Sequence, residues 1–221
     1  MAKRGQGRAH GFPRNAVSWA RACPRSGDVP LGWQRSGDSR KRGGRAMSVD
    51  IALQARGIRL LTCDVDGVLT DGRIFVDDDG RELKAFSALD GVGLKMLMHA
   101  GITVAWITGS SAPAVIHRAR SLGVARVMQG AQDKLTPWEA LRGELALPPA
   151  ACAHIGDDLP DVPIFVRCGF AVTVPHATAS VRARAHFVTG RDGGKGAVRE
   201  VCEMILAAQG TLEAQHAAFG A

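Results

Sequence analysis

Only 5% of the 221 residues are aromatic, and the first 46 residues contain no apolar run long enough for a secretion signal or a membrane span. Cysteine is sparse and poorly placed for metal or disulfide chemistry. Cys23, Cys63, Cys152, Cys168 and Cys202 are odd in number and form no C-x-x-C pair. That pattern argues against a zinc site and for the reduced, buried thiols of a cytoplasmic protein. Beyond residue 46, His99, His117, His154, His176, His186 and His216 show no ligand spacing and receive no role.

Acidic side chains are missing where basic ones crowd. Residues 1–46 hold 11 Lys/Arg and 2 Asp, whereas residues 47–221 hold 17 basic and 19 acidic residues, so the net +7 and pI of about 9.6 belong to the leader. The rest is slightly acidic, which removes the argument for a nucleic-acid partner. Phe12, Trp19 and Trp33 stand in the leader without a recognisable nucleic-acid module. Its scattered Gly, Pro and Arg predict disorder, and Met47 looks like a natural start. The leader is therefore expected to be an over-long translation or a dispensable tail. With 46% hydrophobic residues, the remainder suits one globular α/β domain over 47–209, with a tail over 210–221.

Residues 59–72, RLLTCDVDGVLTDG, carry the most information. Leu60, Leu61, Thr62 and Cys63 read as a buried strand of a parallel sheet ending at Asp64, and such strand ends are where α/β sheets bind ligands. Asp66, two residues on, can turn toward the same volume. Two carboxylates that close need a cation or a shared proton, and Mg²⁺ with oxygen ligands is the usual answer. By itself an Asp-x-Asp after a strand is also an ordinary turn or cap.

Downstream, residues 72–88 predict a β-hairpin: Ile74 to Val76 out, Asp79-Gly80 as the turn, Leu83, Ala85 and Phe86 back. Its apolar residues need a partner surface, either another chain or the domain's own core. Strands and helices then alternate. A strand ending at Ile107 leads to Thr108 and Gly109, whose hydroxyl and N–H groups at a helix start suit phosphate oxygens or a simple cap. Lys134 follows a short strand. Another strand ends at Ile155, before Asp157, Asp158 and Asp161, which suit capping or completion of a metal site. The glycines of TGRDGGKG are expected to let backbone approach a ligand, with Arg191 and Lys195 beside them to meet an anionic end. The alternation implies a doubly wound, three-layer α/β fold with a parallel sheet.

In order and spacing, DVDGVLTDG, ITGS (107–110), Lys134 in GAQDK and GDDLPD (156–161) resemble the four motifs of the haloacid dehalogenase superfamily of aspartate-nucleophile phosphatases. The hairpin GRIFVDDDGRELKAF and the late GGKGAVREV are similar to those of its sugar-acid phosphate phosphatases. The likeness covers about 57–209 and implies a Rossmann-like fold with a flap hairpin at 72–88 and no large cap. It implies Asp64 as nucleophile and Asp66 as general acid and base. Mg²⁺ would be held by Asp64, the Asp66 carbonyl and Asp157, with Asp158 and Asp161 around it, and phosphate by Thr108, Gly109 and Lys134. Arg81 and Lys84 on the flap, Arg118, and Arg191 or Lys195 are the residues for the sugar's carboxylate. The implied reaction is hydrolysis of 3-deoxy-D-manno-octulosonate 8-phosphate in lipopolysaccharide biosynthesis, by a cytoplasmic homotetramer joined through the flap. The alternatives are a nonulosonate 9-phosphate or a non-catalytic oligomerisation module. Ser110 and Leu89 stand where those phosphatases carry arginines.

Overall fold

A computed structural model describes residues 49–220, so the expectations for the leader, Met47 and Cys23 lie outside the described residues. Six strands form one parallel sheet: β1 (Leu60–Cys63), β4 (Thr103–Ile107), β5 (Arg126–Met128), β6 (Cys152–Gly156), β7 (Phe170–Thr173) and β8 (Phe187–Val188), in the order β5-β4-β1-β6-β7-β8. The strand order reverses at β1, which pairs with β4 on one side and β6 on the other. Asp64 therefore leaves the sheet at its switch point, where crevices for ligands form. All four residues of β1 are buried, as are those of β6 and β7, because helices cover both faces.

On one face α1 (Val49–Arg56), α2 (Ala88–His99) and α7 (Ala197–Ala208) pack together, and α3 (Pro113–Leu122) touches α2. Right-handed crossovers place α4 (Leu135–Glu144) and α5 (Val162–Phe165), which pack on one another, on the opposite face. Short α6 (Ala179–Arg182) links β7 to β8. Leu94, Leu97, Val198, Val201, Ile205 and Leu206 fill the α2–α7 seam. α7 starts at Gly196 without a side-chain cap of its own. Buried Asp90 of α2 supplies one, accepting the Gly196 N–H at 3.3 Å and the Arg199 N–H at 2.8 Å.

The structure departs from the sequence reading chiefly in extent. The hairpin shrinks to β2 (Phe75–Val76) and β3 (Glu82–Leu83), closed by Asp77 and Gly80, while Phe86 leaves it to stack on Trp106 with ring centroids 6.1 Å apart. Ile74, Phe75, Val76 and Leu83 are each at least half exposed, so the chain's own core does not cover the hairpin tip. After β6 the chain makes a 3₁₀ turn, Leu159–Asp161, that runs into α5. Residues after Gln209 form α8 (Leu212–Ala218), whose Gln215 Oε1 accepts from His99 Nδ1 at 2.7 Å.

Cys63, Cys152, Cys168 and Cys202 are free and buried, and burial pushes all four thiols up, Cys152 to about 11 and Cys168 to about 12. All four are expected to resist iodoacetamide in the native protein and to react fully in urea, as read by intact mass.

Candidate active site

Asp64 is fixed by the sheet itself: its N–H donates to the Ile155 carbonyl at 2.9 Å, continuing the β1–β6 ladder one residue past the strand. The chain then folds into a tight turn. The N–H groups of Val68, Leu69 and Thr70 converge on the Val65 carbonyl, and the Thr70 hydroxyl oxygen accepts from Gly67 and Gly72. This is what the T of DVDGVLT does. Gly67 has φ +87°, and a Cβ there would collide with the Asp157 carboxylate, so its bare Cα lets the fourth motif close over the first.

Gly193 and Gly194 of TGRDGGKG make a close approach to this turn. The Gly194 N–H donates to the Val68 carbonyl at 2.9 Å, and a side chain at Gly193 would strike the Gly67 carbonyl. They clamp the turn after β1 from outside.

Asp64, Asp66, Thr108, Gly109, Lys134, Asp157 and Asp158 line one cavity of about 250 Å³, with Ser110 and Gln132 on its wall. Thr108 enters from β4; its hydroxyl oxygen accepts the Ser110 N–H at 3.1 Å, leaving its proton for a guest oxygen. Lys134 is 4% exposed and lies between Asp64 Oδ1 at 2.9 Å and Asp161 Oδ1 at 2.7 Å, with a third N–H for the cavity. Asp161 is fully buried beneath the cavity, and its other oxygen accepts the N–H groups of Asp157 and Asp158 at 3.1 and 3.3 Å. Asp158 caps the turn at Leu159.

Charge balance favours a cation here. Burial, and then the neighbouring Asp161, push the Asp64 carboxyl up to about 7 against the pull of Lys134; burial and Asp161 likewise push Asp157 up to about 6. Asp161 behaves oppositely. Burial would raise it, but His154 and Lys134 hold it down to about 2. Oxygens of Asp64, Asp157 and Asp161 all lie within 4.8 Å of one another. An all-oxygen donor set without Cys or His suits Mg²⁺ or a similar hard ion. Asp161 already accepts four donors, so Asp64 and Asp157 are the carboxylates with capacity left.

Gly156 permits this layout, because a Cβ there would overlap the Asp161 carboxyl. Gly156→Ala is expected to destabilise the protein by about 1–3 kcal/mol, measured by urea denaturation.

The remaining expected residues lie elsewhere. The Lys84 side chain, 1% exposed, reaches Asp66 Oδ1 at 2.7 Å and Glu82 Oε2 at 3.0 Å, so the flap's return strand abuts Asp66. Arg118 donates to the Ser87 carbonyl at 3.3 Å and packs against Gly91, bracing the start of α2. Arg191 lines a separate cavity of about 370 Å³ with Leu89 and Arg199, and Lys195 is 63% exposed. Gln132 and His154 escaped the sequence reading. The one available signal for His154 was a polar residue inside the apolar strand CAHIG, just before the fourth motif.

A family model described as haloacid dehalogenase-like hydrolase matches residues 114–200. The 3-deoxy-D-manno-octulosonate 8-phosphate phosphatase of Yersinia pestis is 46% identical over 164 residues, spanning 74% of this chain and 88% of that protein. The chain belongs to this phosphatase family. Its Escherichia coli K12 member is 44% identical over 167 residues, 76% of this chain and 89% of that one. The Moraxella catarrhalis member, solved in complex with a magnesium ion, a phosphate ion and KDO, superposes with a TM-score of 0.75 at 44% identity, covering 77% of this chain and 98% of that one. Family membership agrees with the doubly wound sheet and with the motif order along it.

Proposed function

We propose that this chain is a Mg²⁺-dependent phosphatase that hydrolyses 3-deoxy-D-manno-octulosonate 8-phosphate to the free sugar acid and phosphate, in lipopolysaccharide biosynthesis. The observation that carries it is the gathering of Asp64, Asp66, Thr108, Lys134 and Asp157 around one cavity. A non-catalytic module of the same fold has no need of that set.

Asp64, Asp157 and the Asp66 carbonyl would hold Mg²⁺, which when bound offsets the charge of the carboxylates and of the phosphate. Asp64, aimed by β1 and by Lys134, attacks phosphorus and becomes an aspartyl phosphate. Asp66 gives its proton to the leaving alkoxide and then takes one from the water that hydrolyses the intermediate. The Thr108 hydroxyl, the Gly109 N–H and the Lys134 ammonium hold the phosphoryl oxygens.

The sugar's carboxylate is assigned to Lys84, with Arg118, Arg191 and Lys195 acting at the periphery or on a neighbouring chain. Uncharged Ser110 and Leu89 favour one second reading, a nonulosonate 9-phosphate. The uncovered apolar flap tip supports a homotetramer assembled through it. The free, buried thiols support a cytoplasmic protein, and among the described residues no helix is long and apolar enough to cross a membrane.

Phosphate release from a panel of phosphosugars, with Mg²⁺ or with chelator, tests the proposal. A strong Mg²⁺-dependent preference for the octulosonate ester is expected. Preference for a nine-carbon ester selects the second reading, and inactivity on every ester rejects the enzyme.

A further inference from the structure

We infer that His154 is a positioning residue of the phosphoryl-transfer site: by holding the Asp161 carboxylate from below, it fixes Lys134 against Asp64. This rests on the phosphatase reading above.

His154 projects from β6, where it is the register partner of Thr62 on β1. Its Nε2 lies 2.9 Å from Asp161 Oδ1, and its Nδ1 lies 2.8 Å from Thr62 Oγ1. With a proton on Nε2 the ring donates to the Asp161 carboxylate. The Thr62 hydroxyl lies between Nδ1 and the Ala153 carbonyl, to which it donates at 3.1 Å. Phe165 meets the ring edge-on, with centroids 5.8 Å apart, which fixes its plane.

These contacts close a circuit. From Thr62 the path runs through His154, Asp161 and Lys134 to Asp64, so it starts on β1 and ends one residue past it. Thr62, His154 and Asp161 are fully buried, Lys134 is 4% exposed and Asp64 7%, so water has no place to substitute for a missing member. Asp161 Oδ1 serves Lys134 and His154 together. Without the imidazole that oxygen is tethered on one side only and can rotate toward Lys134, drawing the ammonium off Asp64. The Asp157 N–H bound to Oδ2 would shift with the rotation.

The test compares wild type with His154→Phe and His154→Met, which fill the space without a donor, and with His154→Gln, which returns an N–H at similar reach. Two readouts are taken: kcat and KM for the preferred ester with Mg²⁺, and the Lys134 ammonium resonance in ¹⁵N-lysine-labelled protein, assigned with Lys134→Arg. The donor-less variants are expected to lose kcat by about 10–100-fold with little change in KM. They are also expected to lose the protected Lys134 signal, and His154→Gln should recover much of both. A folded Phe or Met variant with wild-type kcat and an unchanged Lys134 signal overturns the inference, as does a folded Gln variant lacking the signal. If the wild type hydrolyses no ester, the phosphatase reading fails while the Lys134 signal still decides the role of His154.

Discussion

Asp64→Asn is expected to lower kcat for phosphate release by about 10⁴-fold or more while the protein stays folded. The amide keeps the shape of the carboxylate at the end of β1 but has no charge with which to attack phosphorus. The turn that follows is held by Val65 and Thr70, so it does not depend on the lost charge. Stability should move the other way. The Asp64 carboxyl is raised from 3.8 to about 7, chiefly by burial. A group whose folded pKa lies above its unfolded value binds more protons when folded, so it costs stability as pH rises through that window. In chelator, wild type should lose stability between about pH 4 and pH 7 on this account, and Asp64→Asn should lose less. At neutral pH the variant should melt about 2–4 °C higher. More than trace activity in Asp64→Asn, beyond any wild-type contamination, would remove Asp64 from its role.

The second large effect concerns the metal. Saturating Mg²⁺ is expected to raise the melting temperature of the wild type, because a ligand that binds only the folded state adds about 2.7 kcal/mol at a hundredfold excess over Kd. For a domain of this size that corresponds to roughly 5–10 °C. Asp157→Ala should abolish the shift and most of the activity together. It removes one of the two carboxylates with coordination capacity left, while Asp161 keeps its four donors and the fold its anchor. A melting temperature indifferent to Mg²⁺ in wild type would contradict the metal assignment. An undiminished shift in Asp157→Ala would move the ion to other ligands.

Local pattern alone carried much of this architecture. Residues 60–63 read as a buried strand because they are apolar and bounded by turn formers, and β1 occupies that span. In the sheet it is flanked by β4 and β6. Residues at strand ends, such as Asp64, Thr108 and Asp157, were legible because backbone geometry sets their positions within one or two residues of a regular element. Long side chains were not. Lys84 could be placed on the flap, but its turn toward Asp66 depends on the fold of the whole loop. Arg118 and Arg191 were named for their charge, whereas packing sends one to the Ser87 carbonyl and the other to a separate cavity. The GGKG glycines signalled a close backbone approach, and Gly193 and Gly194 make one to the turn after β1. His154 received no role because its partners, Thr62 and Asp161, come from a neighbouring strand and from the turn after its own.

The most direct measurement is the covalent state of Asp64 during turnover. Enzyme mixed with Mg²⁺ and the preferred phosphosugar, quenched in acid within the first turnover and digested, should yield the peptide containing Asp64 heavier by one phosphoryl group, and the same peptide unmodified in Asp64→Asn. Rapid turnover with no phosphoryl group on that peptide, or with the group on another residue, would contradict the assignment of Asp64 as the nucleophile.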